Sequence, residues 1–272
     1  MKKKILLKGP LLTRSGYGEQ TRFALRSLRS REDLFDIYIQ PLQWGATSWI
    51  AIDDEERKWI DSVIEKTIGF VQGGGSFDIA LQVTIPNEWE RIAKVNIGYT
   101  AGIETTKVAP VWLQKGNEQV DKIIVVSSHS KDAFELTEVV AVDNNTGQQI
   151  DYALRTPVRA VNYPVKVYDN LPDLELELSA DFNFLSVAQF GPRKNLHNTI
   201  KWFVEEFHDE NVGLVLKTSM AKNCLMDREM VLNNIRIFLK QFPNRSCKIH
   251  LLHGDMTDEE MHSLYRHEKI SA

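Results

Sequence analysis

Short apolar runs recurring between stretches of helical periodicity constrain this chain more than any other feature. KKILLK (residues 3–8), LFDIYIQ (34–40), FDIALQV (77–83), RIAKVNIGYT (91–100) and DKIIVVSS (121–128) each read as a strand. Between them, residues 19–28 and 53–70 carry helix signals. In the second, acidic residues fill the first turn and Ile60, Val63 and Thr67 fall on one stripe. A segment around Val111–Val120 reads as a further helix. Strands that alternate with helices in this way build a parallel sheet with helices on both faces. The expected fold class is α/β, with Rossmann-like parallel sheets.

The rhythm breaks at residues 136–163. EVVAVDNNTGQQIDYALRTPVRAV has two β-rich arms around Asn144-Asn145-Thr146-Gly147, the pattern of a hairpin turn. VNYPVKVYDNLPDLELEL then reads as a linker. Alternation resumes with FNFLSVAQF (182–190), VGLVLKTS (212–219) and KIHLLHG (248–254). The helix after the first of these places Leu196, Ile200, Phe203 and Phe207 on one face, and the next, roughly 227–242, turns Val231, Ile235 and Phe238 inward. Thr257 followed by Glu260 is a capping box opening a last helix. Two domains are expected: an N-terminal one over 1–165, with a hairpin near 138–160, and a partial C-terminal one over 166–272. The second has only about three strands and looks cut short.

Charge and composition narrow the function classes. Lys and Arg total 33 against 37 Asp and Glu, a formal net charge of −4, which speaks against a nucleic-acid-coating or anionic-membrane-binding surface. The basic start MKKKILLKGP has too short an apolar run for a signal peptide, and no stretch approaches the ~20 apolar residues of a membrane helix. Two cysteines without a CxxC motif fit a reducing compartment, with the cytoplasm as the expectation. His250 and His253 lie three apart on a strand and so point to opposite faces, and no acid or cysteine is spaced to complete a metal site. No metal is expected. His129, beside Ser127, Ser128 and Ser130, reads as part of a helix cap, and no GxSxG supports a serine nucleophile.

Two loops carry the functional signal. Gly16-Tyr17-Gly18 suggests a dinucleotide fingerprint, but Thr21 replaces the third glycine and Gln40 stands where a ribose-binding acid belongs. A nicotinamide site is not expected. Either the loop is a flexible surface segment, or its backbone approaches a ligand in an interdomain cleft. In VAQFGPRKNLHNTI (187–200), Arg193 and Lys194 stand beside a helix start, which already carries about half a positive charge. Either they are solvated turn residues, or an anion completes the site. The carboxyl end of a strand before a helix is where such sheets bind ligands, and a diphosphate resolves the paradox.

The segments DKIIVVSSHSKDAF, YPV, FLSVAQFGPRKNLHNTIKWF, VGLVLKTS and IHLLHGDMTDEEMHSLY, following a Gly-rich loop, occur in an order that resembles the GT-B glycosyltransferases similar to glycosyltransferase family 4. The resemblance implies transfer of a sugar from a nucleotide-sugar donor, with retention and without a metal. The donor then lies between two Rossmann-like domains and the nucleotide sugar is the only small molecule required. It implies a donor diphosphate on Lys194, Arg193 and Gly16, and a nucleobase beside His253 and Gly254. Gln189 stands at the family's Arg position, and Gln189 and Lys217 are further candidates. The place of the family's catalytic histidine reads GYTAGIETT, which offers Thr100 or Glu104. The acidic E-x7-E motif that follows in the family has no counterpart before Ala272. The acceptor, whether saccharide, lipid or protein, is not specified, and no nucleic-acid partner is implied. The alternative is a truncated, inactive α/β protein that binds a nucleotide or sugar.

Overall fold

The computed structural model describes residues 2–142 and 147–272. The chain divides into two compact units, Met1–Val165 and Lys166–Ala272. In the first, strands β1 (Lys3–Gly9), β2 (Phe35–Pro41), β3 (Phe77–Val83), β4 (Ala93–Tyr99), β5 (Lys122–Val125) and β8 (Val158–Ala160) form one sheet in the order β2-β1-β3-β4-β5-β8. Every neighbouring pair in it is parallel. Helices α1 (Gly16–Arg29), α2 (Glu55–Gln72), α3 (Pro110–Gln119) and α4 (Ser128–Glu135) connect the strands. The fold is α/β and Rossmann-like, as the alternation predicts.

Burial explains the strand composition. Ile5 and Leu7 of β1, Ile37 and Ile39 of β2 and Val83 of β3 share a core with Ala24, Leu25 and Leu28 of α1 and Ile60 and Val63 of α2. The stripe residue Thr67 has a different task. Its hydroxyl accepts a hydrogen bond from the Ile39 N–H at 2.9 Å, while Lys66 Nζ donates to the Ile37 carbonyl at 2.8 Å. Helix α2 therefore supplies side-chain partners to β2 along the edge of the sheet, where unpaired backbone groups would otherwise invite another strand.

The hairpin consists of antiparallel β6 (Glu138–Val142) and β7 (Gln149–Ala153). The predicted turn at Asn144-Asn145-Thr146 lies outside the described residues. The second predicted arm is shorter than its β-rich sequence suggests. It ends at Ala153, and Val158–Ala160 instead joins the large sheet beside β5. Pro157 lies between the two, and a proline cannot donate to a ladder.

The second unit has a three-stranded parallel sheet, β9 (Phe182–Val187), β10 (Val212–Lys217) and β11 (Lys248–Leu252), in the order β11-β10-β9. Helices α5 (Leu196–Glu206) and α6 (Leu225–Leu239) send Leu196, Ile200, Phe203, Val204, Val231 and Ile235 into one core with Leu214 and Leu216. The predicted capping box opens α7 (Asp258–Tyr265). Residues 172–176 run beside α7, their carbonyls receiving Ser263 Oγ, His267 Nε2 and Lys269 Nζ. The main chain of Ser271 and Ala272 hydrogen-bonds to Asn183 and Leu185 of β9.

The segment after β1 corrects an expectation. Helix α1 begins at Gly16, not near Glu19, because Ser15 caps it by accepting the Gly18 N–H. Gly16 and Gly18 thus sit in a helical turn rather than in an open loop. The preceding residues are not flexible surface either. Leu11, Leu12 and Thr13 are buried, and Arg22 Nη1 donates to the Leu11 and Thr13 carbonyls at 2.7 and 3.0 Å. A Cβ on Gly18 would lie 2.2 Å from the Thr13 carbonyl oxygen, whereas one on Gly16 would meet nothing within 4 Å. Gly18→Ala is expected to destabilise by roughly 1–3 kcal/mol through overpacking against backbone. Gly16→Ala should be neutral or stabilising by up to about 1 kcal/mol through helix propensity. Urea denaturation of the two variants checks the contrast.

Candidate functional site

The carboxyl ends of β9, β10 and β11 carry the sequence-predicted residues of the second unit. After β9, Phe190 N–H donates to the Ser219 carbonyl and Gln189 Nε2 to the Met220 carbonyl, tying two neighbouring loops together. Residues Pro192–Lys194 then form a single 3₁₀ turn, and Asn195 adopts a left-handed conformation at φ +52° before α5 begins. Arg193 and Lys194 therefore sit on a tight turn between strand end and helix start, both exposed. Helices α1, α2, α4 and α7 receive side-chain caps from Ser15, Asp54, Ser127 and Thr257, whereas α3, α5 and α6 receive none. First-turn N–H groups without a side-chain cap and two adjacent cations make one electropositive corner.

The next two loops are joined by residues the sequence pattern only half revealed. Lys217 Nζ, at the end of β10, hydrogen-bonds to the Gly254 carbonyl. Gly254 has φ +114°, which only glycine adopts without strain. Asp227, in the first turn of α6, is 7% exposed and accepts the N–H groups of Met220, Ala221 and Lys222 at 2.8–2.9 Å. It also accepts from His253 Nε2 at 2.9 Å. Burial acts to raise the Asp227 pKa, but the bonds from His253 and these three N–H groups outweigh it and pull the carboxyl down to about 2. The His253 side chain is thus engaged by Asp227. What residues 253–254 leave for a ligand is main chain.

Asp227 is the residue that sequence reasoning missed. The signal available was an acid in the first turn of the predicted helix. That position commonly satisfies free N–H groups, and here it satisfies those of the preceding loop. The buried Thr218, just beyond β10, adds a hydroxyl with no hydrogen-bond partner among the described residues.

In the first unit, Thr100 follows β4 and is 1% exposed. Its hydroxyl lies 2.8 Å from the Tyr17 hydroxyl, and its carbonyl accepts from Gln20 Nε2 at 3.1 Å. Tyr163 donates to Gln20 at 3.4 Å, and burial raises the pKa values of Tyr17, Tyr99 and Tyr163. Thr100 belongs to this polar knot as a positioning group. Glu104 lies on the exposed loop beyond it. His129, in the first turn of α4, holds that loop through the Thr105 carbonyl at 3.2 Å, and Ser127 caps α4. Gly16 is exposed at the start of α1.

Among the described residues no group of three or more His, Cys, Asp or Glu side chains could hold a metal ion, and no helix is long and apolar enough to cross a membrane. In comparisons with known proteins, no family model and no curated protein matches the chain.

The Asp227 site has a pH signature. The folded-state pKa near 2 lies below the ordinary 3.8, so its stabilisation is complete above about pH 4 and disappears as pH falls through 2. The difference corresponds to about 2 kcal/mol, roughly half of it gone by pH 3. Asp227→Asn should be less stable than the parent at pH 7, and the gap should narrow on acidification. Denaturation midpoints of both chains at pH 7, 4 and 3 check this.

Proposed function

We propose that the Gly191–Asn195 turn binds the diphosphate of a nucleotide sugar, and that the chain serves glycosyl transfer of the GT-B type. The observation that carries this reading is the placement of Arg193 and Lys194 on a 3₁₀ turn leading into the uncapped start of α5. Two cations stand on the turn that leads into a helix start without a side-chain cap, and a diphosphate matches that charge. The loop around His253 and Gly254 offers main-chain atoms to a nucleobase. Lys217 holds that loop in shape from below, and Gln189 braces the turn.

The chemistry follows from charge. As the glycosidic bond to the diphosphate breaks, negative charge builds on the leaving oxygen, and the Lys194 ammonium and Arg193 guanidinium stabilise it more strongly than in the ground state. A single preorganised donor of this kind lowers the barrier by ~3 kcal/mol. Protein cations then take the place of a metal, and retention of configuration accompanies the mechanism as the resemblance implies. Glu104 is the candidate carboxylate on the first unit, with Thr100 fixing the strand end from which its loop departs. Turnover, donor identity and acceptor all belong to this proposal.

Calorimetry with UDP and GDP tests it. Lys194→Ala is expected to weaken nucleoside-diphosphate binding by roughly 1.5–3 kcal/mol, the range for a hydrogen bond to a charged group. Arg193→Ala should match that loss if both cations contact the phosphates. Unchanged binding in both variants would overturn the phosphate reading. Binding without release of sugar from UDP-glucose, GDP-mannose or UDP-N-acetylglucosamine, with or without acceptor mixtures, would make the chain a binding protein instead.

A further inference from the structure

We propose that the depression beside Trp49, in the first unit, is a groove for a neutral saccharide chain. A hollow of about 400 Å³ lies between residues 49–53 and α2, lined by Trp49, Ile52, Asp53, Arg57 and Asp61. That volume falls within the range of small-molecule sites, and the lining has their usual makeup: apolar surface with a few convergent polar groups. Trp49 and Ile52 are 46% and 49% exposed although both are large and apolar.

The groove is built, not frayed. Trp49 bridges to Thr13, Arg14 N–H donates to the Ser48 carbonyl, and Ile50 N–H donates to the Leu12 carbonyl at 2.8 Å. These bonds fasten the segment to the buried residues ahead of α1. On the other wall, Arg57 Nε donates to both carboxylate oxygens of Asp61 at 2.9 and 3.0 Å, and Nη1 donates to the Ile50 carbonyl at 2.6 Å. The guanidinium thereby holds α2 and the Trp49 segment at a fixed separation. A platform that remains exposed while its frame is held this firmly loses little entropy when a ligand arrives.

The chemistry selects the ligand. A pyranose presents an apolar C–H face on one side and hydroxyls around its rim. Trp49 supplies a flat amphipathic ring for the first, and Asp53, Asp61 and Arg57 supply carboxylate acceptors and guanidinium donors for the second. An apolar peptide would strip water from the two aspartates without replacing its hydrogen bonds, which is costly. Asp61 is paired with Arg57, and Lys58 Nζ lies 3.9 Å from Asp53, so the charges balance and nothing calls for a charged ligand. A neutral saccharide fits both the ring and the charges. The inference rests on the groove's own chemistry, and it goes beyond the diphosphate reading and can fail separately from it.

The experiment titrates the full chain with cellotetraose, α-1,6-mannotetraose and chitotetraose, followed by saturation-transfer NMR. At least one is expected to bind in the millimolar range. Trp49→Ala should weaken it at least about tenfold, Trp49→Phe should retain most of it, and Asp61→Asn should weaken it while leaving the apolar face intact. Trp202→Ala, which removes another exposed ring, should have no effect. Circular dichroism and melting of each variant confirm the fold. Three results would overturn the proposal: no binding by any of the tetrasaccharides, binding that survives in folded Trp49→Ala, or Trp49-dependent binding of the apolar dye ANS without saccharide binding.

Discussion

Asp227 carries a negative charge into a site with little access to water, and the charge is tolerated only because four donors converge on it. Three come from consecutive main-chain N–H groups of the loop after β10, and the fourth comes from His253 in the loop after β11. A single carboxylate therefore decides the course of two neighbouring loops. Gln189 ties the third to them through Met220. The turn bearing Arg193 and Lys194 inherits its position from this chain of contacts. At α6 the protein's own carboxylate already takes the N–H groups of the loop that precedes the helix. The start of α5 differs in carrying Arg193 and Lys194 on the turn just before it, and that difference directs the functional reading to one helix and not the other.

The first unit solves a related problem with neutral groups. Parallel strands end side by side, so polar main chain accumulates at their carboxyl ends. There the Thr100 carbonyl is satisfied by Gln20, the Ala101 N–H by the Tyr17 hydroxyl, and Gln20 in turn by Tyr163. At the sheet's flank the same accounting is met by Thr67 and Lys66 of α2. Thr67 and Gln20 are buried polar residues of α2 and α1, and each is explained by a main-chain partner on a strand or strand end.

The elements themselves were legible because apolar period and helix signals agree: α2 buries Ile60, Val63 and Thr67 as its spacing predicts, and α7 opens on the expected capping box. What escaped the sequence were pairings between distant residues. Nothing near Asp227 announces His253, 26 positions away, and Gln20 gives no hint of Thr100. The start of α1 was misplaced for a local reason. Two glycines are poor helix formers, yet Ser15 caps the turn and the close approach of Gly18 to Thr13 excludes a side chain. In sequence, Thr21 departs from a dinucleotide fingerprint. In the fold it presses on Gly9, where a Cβ would lie 2.7 Å from its hydroxyl, so the room for helix against strand is made on the strand side. The positions of Lys194 and Arg193 were legible, whereas the 3₁₀ turn that carries them depends on the left-handed Asn195.

The bonds from Ser271 and Ala272 to β9 have a topological consequence. Their hydrogen bonds rise in step with Asn183 and Leu185, so the chain leaving α7 runs in the same direction as β9, on the edge that β10 does not use. The connections β9 to β10 to β11 step one way across the sheet, and the return through α7 reverses that progression at β9. In open parallel sheets, loops on either side of such a reversal diverge at the carboxyl end of the strand where the order changes sense. At β9 that end is the Gly191–Asn195 turn.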